Sequence, residues 1–109
     1  MISLFTVPSQ PPTSLKLTAN SSTSITASWQ LPPLLARHGR NVKGFKLFYR
    51  EKGFAGSFYL NITSGSTLRR LVAGLDMYTE YEFQVLAYTS DGDGPNSFVE
   101  VERTMEGGM

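Results

Sequence analysis

The stretch SDGDGPNS, residues 90–97, holds the side chains best placed to do chemistry. Asp91, Asp93 and Glu102 fall at the first, third and twelfth positions of a hand-like calcium loop. The rest of that pattern is missing. The fifth position is Pro95, which offers no side-chain oxygen, and the sixth is Asn96, where the sharp turn needs glycine. No calcium or other metal site is therefore expected. The two aspartates, two residues apart in a glycine-rich tip, have no apolar setting to raise a pKa for acid–base work. His38, the single histidine, lies in the basic segment LLARHGRN with no aspartate nearby in sequence. No serine sits in a nucleophile elbow, and no glycine-rich loop leads from a strand into a helix to cradle phosphate. The sequence thus predicts a protein that is not an enzyme, with no catalytic residue and no cofactor. SDGDGPNS reads instead as a turn: glycines supply the conformations, aspartates bond local backbone, and Pro95 ends strand pairing.

The elements that carry these residues repeat with a period of two. SITASW alternates Ile25, Ala27 and Trp29 on one face. GFKLFYRE alternates Phe45, Leu47 and Tyr49 against Lys46, Phe48 and Arg50. SFYLNIT sets Phe58, Leu60 and Ile62 against Tyr59, Asn61 and Thr63. EYEFQVLAY sets Tyr81, Phe83, Val85 and Ala87 against Glu82, Gln84, Leu86 and Tyr88. With SLKL, LRRLV and FVEVER these make seven short strands, punctuated by PSQPP, LPP, KGFAGS, TSGST and DGDGPN. No stretch carries caps around a helical period. The expected fold is all-β, a seven-stranded antiparallel β-sandwich of immunoglobulin-like type. Its 109 residues suit one domain. The absence of cysteine removes disulfide, thiolate and cysteine–zinc chemistry. A net charge of +1 gives no global field for nucleic acid or an anionic membrane. No apolar run approaches the ~18 residues of a membrane span, and MISLFTVPSQPP lacks the basic region of a signal peptide.

The order and spacing of these segments resemble the fibronectin type III domain. PSQPPTSLKL is similar to its proline-led first strand and SITASWQLPP to its second, with Trp29 as the core tryptophan. VKGFKLFYRE is similar to the third. The most specific piece is LVAGLDMYTEYEFQVLAY, in which Tyr81 follows Leu75 by six residues. The resemblance runs from about Pro8 to Thr104, with residues 1–7 as a disordered lead-in or remnant, 8–104 as the domain and 105–109 as a linker tail. Trp29 needs an inner sheet face, with its N–H near the strand edge. Tyr81 can reach back to upstream backbone as a tyrosine corner, and Leu75 plugs the turn end of the core. Arg70 falls in the inward phase of LRRLV, which suits an edge strand with the guanidinium snorkelling out. The resemblance implies a non-catalytic, extracellular module of an adhesion or axon-guidance receptor, such as those of the neogenin group. Its implied partners are a protein ligand or adjacent domains, and the isolated domain is expected to be monomeric. Neither Arg-Gly-Asp nor Trp-Ser-x-Trp-Ser is present.

Three features could carry contacts. Arg37, Arg40, Lys43, Lys46, Arg50 and Lys52 crowd one region. They read either as a weak glycosaminoglycan site centred on Arg37, Arg40 and Lys43, or as cross-strand pairs. In this fold the third strand lies beside the sixth, so Lys46 and Arg50 are expected to face Glu82. Phe48, Tyr59, Leu86 and Tyr88 share the outward phase and form a candidate partner face, with Phe48 and Tyr88 as anchors; the alternative is ordinary cross-strand packing or a purely structural spacer. Asn20 and Asn61 lie in the acceptor sequons NSS and NIT.

Overall fold

The computed structural model describes residues 7–33 and 41–107. β1 (Thr13–Ser21), β2 (Ser24–Gln30) and β5 (Arg69–Val72) form one sheet in the order β1-β2-β5. β4 (Phe58–Ile62), β3 (Gly44–Glu51), β6 (Glu80–Thr89) and β7 (Gly92–Asp93) form the other in that order, and β8 (Glu100–Arg103) also pairs with β6. Every pairing is antiparallel. The period-two reading thus holds, and two sheets pack as a sandwich.

Between them lie Ile25, Ala27 and Trp29 of β2, Phe45 and Leu47 of β3, and Phe83, Val85 and Ala87 of β6, all buried. Trp29 meets Phe45 edge-on at 5.4 Å between ring centroids, a favoured aromatic geometry. Its Nε1 is buried and finds no acceptor among the described residues. Arg70, opposite Ala27 on the edge strand β5, is exposed, as the snorkelling argument requires.

The last strand departs from expectation. FVEVER was to pair from Phe98, but the chain pairs earlier and in two pieces. Gly92 and Asp93 pair with Thr89 and Tyr88, then the ladder breaks and resumes at Glu100. Ser97 bridges the break: its N–H donates to the Val85 carbonyl while its hydroxyl accepts from the Val85 N–H. A side chain thereby takes over a ladder bond that backbone cannot make, and the irregularity turns Phe98 outward, 89% exposed. DGDGPN is therefore a hairpin built into the sheet rather than a free tip. Gly92, at φ 137°, supplies the conformation that a side chain would resist.

Candidate functional site

The outer face of β4-β3-β6 follows from the register. Phe48 stands between Tyr59 and Gln84, Lys46 between Asn61 and Leu86, and Gly44 opposite Tyr88. Phe48, Tyr59, Leu86 and Tyr88 therefore share one face, as their phase demands. The rings of Phe48 and Tyr59 lie 5.3 Å apart, tilted. Tyr59 is 54% exposed, while Phe48 and Tyr88 are half-buried.

Leu86 corrects the sequence reading. It is only 6% exposed, although it points away from the core. Lys46, beside it on β3, sends its ammonium across β6 to Asp93 on β7, with Nζ 2.9 Å from Oδ2. The lysine stem must cross the central strand to make that bond, and it roofs the leucine. The ammonium also stands 5.9 Å from the ring centres of Tyr59 and Tyr88, within cation–π range. The hydrogen bond to Asp93 holds the Lys46 amine above its ordinary pKa, against the smaller effect of desolvation.

Tyr88 is tied rather than free. Its hydroxyl donates to Asn61 Oδ1 at 3.1 Å, and its ring covers Gly44, where an added Cβ would collide with both the phenol and the Ile62 carbonyl. A glycine under a cross-strand aromatic is a packing device, so Tyr88 stabilises the sheet before it offers itself to a partner.

The basic region resolves mostly into pairs. Arg50 Nε bonds Glu82 Oε1 at 2.7 Å, as expected from the register. Lys46 takes Asp93 instead of Glu82, because Glu82 is two rows away and already engaged. Asp93 thus bonds a distant lysine, not local backbone. Glu80 lies 3.9 Å from Lys52 and 3.5 Å from Arg103. Lys43 is exposed; Arg37, Arg40 and His38 lie outside the described residues. Among the described residues no group of three histidine, cysteine or acidic side chains is disposed to hold a metal ion.

The end of the sandwich opposite the 41–43 segment is a hydrogen-bonded knot. Tyr81 is buried and its hydroxyl accepts the Asp76 N–H at 2.8 Å, the tyrosine-corner bond expected. Burial pushes its phenol above the ordinary tyrosine pKa, and the nearby Asp76 and Glu51 charges add to that. Leu75 is buried and donates its N–H to the Thr23 carbonyl, joining the turn to the other sheet. The sequence reading missed Thr104, whose buried hydroxyl donates to the Asp76 carbonyl at 2.6 Å and accepts from Thr79 N–H at 2.9 Å. A lone threonine after a strand carries no signal of such a role. Tyr78 adopts φ 47°, unusual for a bulky residue, and is held there by its N–H bond to the Met105 carbonyl and by the Arg103 guanidinium, which donates to the Tyr78 carbonyl and lies 4.5 Å from its ring centre.

Asn20 and Asn61 are both exposed. Asn20 Oδ1 accepts from the Thr26 hydroxyl, and Asn61 Oδ1 from Tyr88, so each side-chain carbonyl is held while the amide nitrogen is left out of that bond. Asn61 sits beside Lys46 on the same face as Phe48.

Comparison with known proteins agrees with this architecture. The family model for the fibronectin type III domain matches residues 10–103. Human neogenin is 39% identical over 89 residues, covering 82% of this chain and 6% of that protein. Drosophila melanogaster tyrosine-protein phosphatase Lar is 39% identical over 104 residues, covering 92% of this chain and 5% of that protein. The crystal structure of the FN5 domain of Drosophila Lar superposes with a TM-score of 0.72 at 36% identity, covering 93% of this chain and 100% of that one. The fn3 domain of human contactin 1 gives 0.82 at 20% identity, covering 100% and 88%, a likeness of fold alone. The chain therefore spans a small part of the length of its curated relatives. It belongs to the fibronectin type III family, as a domain homologous to those of adhesion and guidance receptors.

Proposed function

We propose that this domain is a protein-contact module in the extracellular part of a larger cell-surface receptor, and that contact is made through the outer face of β4-β3-β6. The observation that carries the reading is the Phe48–Tyr59 pair, a half-buried ring packed against a largely exposed one on the outer sheet face. Rigid aromatics anchor interfaces because each buries a large area at little cost in side-chain freedom. The anchors are Phe48 and Tyr59. Tyr88 supports them from below, through Gly44 and Asn61. Pairing of Lys46, Arg50 and Lys52 with acids withdraws these three from a glycosaminoglycan site, which is left to rest on Arg37, Arg40 and Lys43. No helix among the described residues is long and apolar enough to cross a membrane.

The test is Phe48→Ser with Tyr59→Ser in the intact receptor, after an unchanged thermal melt shows that folding survives. Loss of ligand binding, or altered packing against a neighbouring domain, supports the module reading. Survival of both returns the domain to the role of a spacer. A glycan at Asn61 would stand beside the anchors, so mass spectrometry of the secreted protein belongs in the same experiment. Full occupancy there counts against the face, whereas occupancy at Asn20, across the sandwich on β1, does not.

A further inference from the structure

A second set of rings, on the inward phase of the same strands, is also left uncovered. The connection after β3 and the turn before β6 enclose an open cleft of about 610 Å³ at the β4 edge of the sandwich. Tyr49, Phe54, Phe58 and Tyr81 line it, together with the acidic residues Glu51 and Asp76. The volume is in the range of ligand sites, roughly 300–1,000 Å³. Phe58 falls in the inward phase of β4 and was expected in the core, yet it is 69% exposed. The reason is position: it lies at the start of the edge strand, where β5 of the opposite sheet no longer covers it. Phe54 is 61% exposed.

Three of the lining rings are braced. Tyr49 stacks on core residue Phe83 at 5.9 Å and meets Phe58 at 5.8 Å, so one exposed ring is braced through a second onto the core. Tyr81 is fixed by its bond to the Asp76 N–H. The charge is one-sided. Arg50 borders the cleft, but its guanidinium is bonded to Glu82 on the outer face. Glu51 and Asp76 have no basic partner among the described residues. Aromatic faces are themselves electron-rich, so rings and carboxylates favour the same kind of guest.

We propose that this cleft receives an arginine side chain from an extended segment of a partner protein. A guanidinium can lie flat on Phe58 and Tyr49 while its edge bonds Glu51 or Asp76, using stacking and fork-shaped hydrogen bonding together. A lysine ammonium supplies charge and a cation–π contact but neither the flat stack nor the fork of hydrogen bonds, and a neutral apolar side chain meets only the rings. The proposal shares with the outer-face reading the premise that the domain meets proteins, but uses none of its residues, so either can fail alone.

The test titrates the 109-residue chain with the capped tripeptide acetyl-Gly-Arg-Gly-amide and with its citrulline counterpart, which has nearly the same shape without the charge. Amide NMR shifts at Gly74, Asp76 and Gly56 report the cleft, and those at Lys46, Asn61 and Leu86 report the other face. The expected result is a saturable shift confined to the cleft, with the arginine peptide about 10-fold tighter than citrulline and weakened by salt. Phe58→Ala and Asp76→Asn should each weaken it about 3- to 10-fold. Both variants should keep the fold, since Phe58 is exposed and the Tyr81 bond uses the Asp76 main chain. Glu51→Gln provides a third variant that leaves every ring in place. Equal affinity for citrulline, shifts that survive the substitutions, or no saturable shift up to about 20 mM peptide would each overturn the proposal.

Discussion

β3 presents two faces made from the same eight residues, and they behave differently. Inward, Phe45 and Leu47 are sealed against Trp29, Phe83 and Val85, where a lost methylene leaves a cavity. Outward, Lys46, Phe48 and Arg50 meet solvent through pairs and rings that can be exchanged without opening the core. The inner face determines whether the chain folds, and the outer face what the folded chain can touch. Alternation assigns each side chain to one of these tasks, but says nothing about what other elements lay over it.

The sharpest test of this division is Trp29→Ala. It should cost ~3–5 kcal/mol in denaturant unfolding, a large part of a small domain's stability. A wild-type midpoint would remove the distinction between the faces. Next is Tyr81→Phe, expected to cost about 1–2 kcal/mol because the Asp76 N–H loses its acceptor. The Tyr81 phenol has its pKa raised on folding. The stability it contributes is therefore complete below the unfolded tyrosine value near 10 and is lost as pH rises through the folded one. Thermal melts at alkaline pH should fall less steeply in Tyr81→Phe than in the wild type.

On the outer face the effects should shrink. Glu82→Gln should cost no more than about 1 kcal/mol, less in high salt, because Arg50 is well exposed. A loss as large as that of Trp29→Ala would show that the outer face also holds the fold. Smallest of all is reversal of charge at Arg37, Arg40 and Lys43. We expect elution from heparin below about 0.15 M salt both before and after the change. Retention well above that, abolished by the reversal, would restore the polyanion site. Calcium should leave the melting temperature unchanged, since Asp93 is engaged by Lys46 and Glu102 lies on β8.

What was legible in the sequence follows the same division. The identity of each inward row, the tyrosine corner and the Arg50–Glu82 pair all come from strand phase and strand order, which local pattern and family resemblance supply. Leu86, Phe58 and Asp93 were misread because their surroundings are set by distant elements. A lysine stem crosses Leu86, the opposite sheet ends before reaching Phe58, and Asp93 bonds a residue 47 positions away. The split of the last strand depends on a serine hydroxyl replacing one backbone bond, which no period can reveal. The cleft escaped for a related reason, since an inward phase at a sheet edge looks like core until the facing sheet is in place.

Met105 has a mechanical consequence. Its N–H is bonded to the Ser21 carbonyl at the end of β1, and its carbonyl accepts from the Tyr78 N–H in the turn before β6. Thr104 just before it is fastened to the same turn. Tension applied along the chain beyond this point therefore does not pull first on the β8–β6 ladder. It is divided between both sheets, loading several bonds in parallel instead of opening one ladder a rung at a time. The final strand is thus guarded by a stitch that must break before peeling can begin.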